Sequence, residues 1–180
     1  MRYRPLLFNV VLMFCLSVAL QTVSAQSDST DKPCSAPEAS QFDFWIGKWE
    51  LAWGDSLKGT NIITKELDRC VIHEQFSDPK ERFYVRSYSV YNSTKKLWQQ
   101  TWVDNQGNYL DFEGSFENEK MTLSRSFVGP KGKTVMQRMV FFNISDSSLD
   151  WSWESSLDGG KNWKQNWLIH YKRAPEKLSN

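Results

Sequence analysis

Five short stretches of this sequence set one polar donor between two bulky apolar side chains at alternate positions: Tyr84-Arg86-Tyr88, Trp98-Gln100-Trp102, Leu123-Arg125-Phe127, Met136-Arg138-Val140 and Trp163-Gln165-Trp167, counting every second residue. A guanidinium suits a carboxylate or phosphate head, and a tryptophan face suits an acyl chain, a flat ring or a sugar. In an extended strand, residues two apart share a face. Rows turned inward would therefore build a concave, aromatic-walled small-molecule site with a few fixed donors. On this pattern the candidate ligand-binding residues are Arg86, Tyr88, Trp98, Gln100, Trp102, Arg125, Arg138 and Trp163. The competing arrangement turns the rows to solvent, with arginine stems lying over aromatic surface, or fills the interior with side chains.

Other chemistry finds less support. Gly54-Asp55-Ser56-Leu57 matches the opening motif of a class of serine esterases, but the Asp-x-x-His that supplies their base is missing before both His73 and His170. The match sits among turn-forming residues and reads as a hairpin. His73 and Cys70 are three apart in an extended segment, so they point to opposite faces and do not form a metal pair. Haem ligation would rest on one of only two histidines, so no cofactor is assigned. Asp111 and Glu113 share a strand face with Tyr109 and Ser115, which reads as a solvated face rather than an acid/base pair. Gly129-Pro130-Lys131-Gly132-Lys133 is too short a loop to cradle a phosphate. Ser156-x-Asp158-x-Gly160-x-x-Trp163 resembles the Asp-box hairpin of sialidase propellers, but a single copy indicates a hairpin and not a glycosidase. No residue is assigned a catalytic role.

The elements that must position these residues are strands. Turn-forming clusters recur at Gly54 to Gly59, Asp68-Arg69, Ser77 to Lys80, Asn92 to Lys95, Asp104 to Gly107, Glu117 to Glu119, Gly129 to Gly132, Ser145 to Ser148 and Asp158 to Gly160. The runs between them are rich in Val, Ile, Thr and aromatic residues, several with period two, which predicts about ten strands. Connections this short cannot hold a crossover helix, so sequence neighbours pair antiparallel. Closure of such a meander removes its exposed edges and gives an all-β up-and-down barrel, with a two-sheet sandwich as the alternative.

Arg2 and Arg4 precede an apolar run from Leu6 to Leu20 that ends in Val23-Ser24-Ala25, the pattern of a removable signal peptide over 1–25. The run is shorter than the ~20 residues of a spanning helix. Export to the periplasm or the extracellular space, without stable membrane insertion, is the expectation. Removing 25 of the 180 residues leaves 155, a size suited to one domain. Two of the 22 basic residues and none of the 21 acidic ones go with the leader, so the remainder is nearly neutral and suggests no nucleic-acid partner. Residues 26–41, rich in Ser, Asp, Pro and Ala, read as a flexible arm, 42–173 as the barrel, and 174–180 as a tail. Cys34 and Cys70 are the two cysteines beyond the leader, and an oxidising compartment would pair them as a disulfide.

Phe42-Asp43-Phe44-Trp45-Ile46-Gly47-Lys48-Trp49, Cys70-Val71-Ile72-His73-Glu74, Trp98-Gln99-Gln100-Thr101-Trp102-Val103-Asp104 and the 156–163 hairpin, with Tyr171 and Arg173, resemble a family of exported bacterial proteins of uncharacterised activity, the type labelled domain of unknown function 1579. Lys48 departs from the acid usual in that family. The resemblance implies a lipocalin-like or calycin-like barrel. Gly47-x-Trp49 is similar to the first-strand motif of lipocalins, whose tryptophan plugs one barrel end. The leading expectation is an exported binding protein for a small amphipathic or aromatic molecule. One alternative is an isomerase or hydrolase using the same cavity, with Asp104 or Glu50 as base, and another is an envelope or interaction module with a filled barrel.

Overall fold

A computed structural model describes residues 33–54 and 56–175. The expected signal peptide, residues 26–32 of the expected arm, and residues 176–180 lie outside them. Ten strands follow one another: β1 (Gly47–Trp53), β2 (Ser56–Glu66), β3 (Val71–Asp78), β4 (Phe83–Asn92), β5 (Leu97–Asp104), β6 (Tyr109–Glu117), β7 (Lys120–Val128), β8 (Thr134–Phe142), β9 (Ser148–Ser156) and β10 (Lys164–Arg173). Each pairs antiparallel with its sequence neighbours, and β1 pairs with β10 to close the barrel. The all-β up-and-down architecture expected from the turn spacing is the one the chain forms. No helix among the described residues is long and apolar enough to cross a membrane.

Alternation along the strands puts one set of side chains inside. On β3, Ile72, Glu74, Phe76 and Asp78 are buried, and on β4 the buried set is Val85, Ser87 and Ser89. One end of the barrel is plugged. Phe42 and Trp45, from two short 3₁₀ turns (Pro37–Ser40 and Asp43–Trp45) and the residues around them, pack on Trp49, Trp98 and Phe141, all fully buried. Phe42 stacks on Trp45 at 5.0 Å and meets Phe141 edge-on at 5.0 Å. Trp49 donates its indole N–H to the Trp45 carbonyl at 2.8 Å, and the Arg173 guanidinium covers its ring at 4.2 Å. Gly47 has φ +133°, and a Cβ there would sit 2.2 Å from Arg173 Nη1, so that guanidinium reaches the Ile46 carbonyl only because residue 47 lacks a side chain.

Composition places 33–41 in an arm, yet this stretch is tied to the barrel in three ways. Cys34 and Cys70 lie at disulfide distance, with Cα atoms 5.2 Å apart. Ala39 is buried, and Lys65, itself turned inward from β2, reaches the Ala39 carbonyl and the Asp43 carboxylate (2.5 Å). A small apolar residue beside a buried cation explains how a segment so poor in large hydrophobics still docks.

β6 and β7 depart from a uniform wall. Their ladder runs only over Glu113–Glu117 and Lys120–Ser124. It pinches at Gly114, where a Cβ would lie 1.8 Å from the Thr122 carbonyl oxygen. Beyond Glu113 and Ser124 the strands are no longer paired with each other, which leaves a slot between 109–112 and 125–128 at the unplugged end.

Candidate functional site

The unplugged end is a mouth lined by aromatic rings. Phe83 from β4, Trp102 and Asp104 from β5, Leu110 from β6, Trp151 and Trp153 from β9 and Trp167 from β10 surround a cavity of about 190 Å³. Trp167 meets Trp151 edge-on at 5.6 Å and Trp53 at 5.1 Å, and Trp102 lies 6.0 Å from Trp153. These ring separations fall in the favourable edge-to-face and tilted range, so the walls hold each other in place. Trp102 also donates to Asp104 Oδ2 at 3.1 Å, which fixes its indole plane. Burial opposes the Asp104 charge. The Asn108 amide, the Trp102 indole and the backbone N–H groups of Asn108 and Gln106 outweigh it and hold the carboxyl below its usual range. Asp104 is therefore an ionised turn anchor at neutral pH. Its donors already occupy both oxygens, which argues against the role of general base suggested by its position in the sequence.

Deeper inside lies a band of buried polar groups. Asn61 Nδ2 bonds Glu74 Oε1 at 2.7 Å and Tyr171 Oη at 3.2 Å, Ser87 Oγ lies 2.6 Å from Glu74 Oε2, and Gln100 Nε2 donates to Ser89 Oγ at 2.9 Å. Burial pushes the Glu74 carboxyl up, against the lowering effect of its Ser87 and Asn61 hydrogen bonds and of the His73 and Arg86 charges. Burial, with the nearby Glu74, likewise raises the Tyr171 phenol. The Asn61 Oδ1 and Gln100 Oε1 oxygens are buried without a donor. Ser87 and Trp102 are direct cross-strand partners, so this band forms the floor beneath the tryptophan walls.

The structure divides the eight residues singled out from the sequence. Trp98, Gln100 and Trp102 face inward, but only Trp102 lines the mouth: Gln100 belongs to the floor and Trp98 to the plug. Arg125 follows Met121 and Leu123 on the inner phase of β7 and lies at the slot.

The other four are corrected to the outer face. Arg86 and Tyr88 are exposed. Arg86 bonds the Val85 and Phe76 carbonyls, and Tyr88 stacks on His73 at 4.7 Å. Their strand turns Ser87 and Ser89 inward because the cross-strand partners on β5, Trp102 and Gln100, already fill that space. Arg138 pairs with Glu154 at 2.6 Å and lies 4.0 Å over Trp163, both outside. The Trp163-Gln165-Trp167 row is split by a bulge between Gln165 and Trp167, which flips the strand's phase so that Trp167 alone faces the interior. Trp163 instead caps the hairpin, donating to the Gly160 carbonyl at 3.0 Å, while Ser156 and Asp158 bond the turn. Two backbone and side-chain bonds from Asn162 and one from Ser156 lower the Asp158 carboxyl to about 2. The mouth residues the pattern missed are Phe83, Leu110, Trp151 and Trp153. Trp151 and Trp153 carried the signal, as a period-two aromatic pair on one strand face.

A larger groove of about 710 Å³ crosses the outer surface of β1, β9 and β10 past Glu50, Asp150, His170 and Lys172. His170 Nδ1 lies 2.6 Å from Asp150, and its ring is more than half exposed. Glu50, the other suggested base, faces this groove and not the cavity. No cluster of three metal-ligating side chains occurs among the described residues. The outer face of β2 to β6 exposes Ile62, Tyr84, Tyr88, Val90, Val103 and Tyr109. No protein-family model matches this chain, and no curated protein matches it either.

Proposed function

We propose that this chain is an exported binding protein that takes the flat apolar part of a small amphipathic or aromatic molecule into its tryptophan-walled mouth. The observation that carries the reading is the convergence of Trp102, Trp151, Trp153 and Trp167 on one cavity of about 190 Å³ beside Asp104. A dry cavity of about 150 Å³ holds one benzene ring, so this space suits a single ring with the rest of the ligand outside. Trp153 and Trp167 stay partly exposed beside this cavity, and such rings are the usual make-up of a ligand wall. The test is native mass spectrometry of the protein purified gently from its source, before and after denaturation. A small mass lost on denaturation, and absent from the Trp153→Ala variant, is expected. A mass equally retained by that variant would overturn the mouth as the site.

A second reading, an interaction module, is favoured by the exposed Ile62, Tyr84, Tyr88, Val90, Val103 and Tyr109 on one outer face. Replacing Tyr84 and Tyr88 by serine would abolish capture of a protein partner and leave ring binding intact if this face is the functional one.

A further inference from the structure

We infer that the mouth selects a ring bearing a carboxylate, and that Arg125 is the residue that holds the carboxylate at the slot between β6 and β7. This rests on the ring-binding reading above and specifies its ligand class. Arg125 projects from the inner phase of β7, where the wall opens. Its guanidinium carbon lies 5.8 Å from the Phe112 ring centre and 5.0 Å from that of Phe127. Phe112 in turn meets Trp153 edge-on at 5.7 Å, so the cation stands one ring away from the tryptophan cavity. Arg125 also lines a groove of about 350 Å³ beside Ser124 and Ser126.

What distinguishes this arginine is that its donors are buried without a partner. Nε and Nη1 are buried and bond nothing, and no carboxylate among the described residues lies within ion-pair distance of it. Its counterparts are satisfied: Arg138 by Glu154, Arg173 by the carbonyls of Ile46 and Asp146, Arg86 by those of Val85 and Phe76. Burying the donors of a charged group without an acceptor is costly, and the two flanking rings offset only part of that cost. The complement is an anionic oxygen acceptor. Asp111 and Glu113 line the outer side of the same groove, so a doubly charged phosphate meets repulsion that a singly charged, planar carboxylate largely escapes. A ring seated against Trp153 and carrying its carboxylate on a short arm spans the two sites.

The experiment is isothermal titration calorimetry of three probes of one shape, 3-phenylpropionate, 3-phenylpropanol and 3-phenylpropylamine, against the wild-type protein and the Arg125→Gln and Arg125→Lys variants. The acid is expected to bind the wild type about tenfold or more tighter than the alcohol, and the amine weakest. Arg125→Gln should bring the acid down to the alcohol's affinity without changing the alcohol, and Arg125→Lys should keep part of the preference. Equal affinity of acid and alcohol for the wild type overturns this inference and leaves the ring site standing. A preference for the acid that survives Arg125→Gln overturns the assignment of Arg125. Failure of all three probes to bind the folded wild type overturns the inference together with the reading it rests on.

Discussion

At the plugged end of the barrel Trp45, Trp49 and Trp98 are each 1% exposed, whereas at the mouth Trp53, Trp153 and Trp167 remain half-buried around open space. Both ends are built from the same residue type on the same ten strands. The difference lies in what reaches them. The plugged end receives Phe42 and Trp45 from the segment preceding β1, pinned by Cys34–Cys70 and by Lys65 on Asp43. The mouth receives no such segment among the described residues. A tryptophan given a covering partner is a core residue; one denied it is a wall. Residue type alone therefore does not separate packing from recognition in this fold, and the covering segment does.

The largest test of that contrast is Trp49→Ala. It removes a fully buried ring and strands the Arg173 cation above it, and should cost about 3–5 kcal/mol by denaturant unfolding. Replacing both Cys34 and Cys70 by serine frees a 36-residue separation and should cost about 3–4 kcal/mol on the loop-entropy estimate, with ring binding at the mouth unchanged. Loss of binding in that variant would show that the two ends are coupled. Trp153→Ala should lower stability by only about 1–2 kcal/mol, since its site already meets solvent, while removing ring binding altogether.

The smallest effect concerns the floor and depends on pH. Burial raises the Glu74 carboxyl in the folded state, so that state holds the proton more tightly than the unfolded chain does. The stability associated with the neutral acid is complete below the unfolded value of 4.5 and declines as pH rises through the raised folded value. Glu74→Gln keeps a neutral side chain of the same shape between Asn61 and Ser87. Its melting temperature should match the parent in acid and exceed it increasingly toward neutral and alkaline pH. Parallel melting curves for the two proteins across that range would show that Glu74 is ionised in the folded state.

The strands, their order and the barrel's closure were legible in the sequence because turn chemistry and period-two alternation are local signals. Which face of each strand turns inward was not. On β4 the row of two rings about a donor favours Tyr84, Arg86 and Tyr88 as the inner set. The inner set is instead Val85, Ser87 and Ser89, the two serines lying opposite the bulk of Trp102 and Gln100 on the neighbouring strand, which is a property of the pair and not of either sequence. On β10 one extra residue between Gln165 and Trp167 reverses the phase midway, and no composition cue marks it. Lys65 and Asp43 carry no signal of pairing in the sequence, since they lie 22 residues apart on different elements.

The slot between β6 and β7 bears on time as well as affinity. Residues 109–112 and 125–128 are each held from one side only, by β5 and by β8, so widening the slot breaks no hydrogen bond between β6 and β7. Breathing there proceeds without melting the barrel, and its amides on the slot side should exchange with solvent long before those of β3 and β4. A ligand lodged at this edge would leave on the clock of that local motion, so its residence time can be short in a protein whose global unfolding is slow.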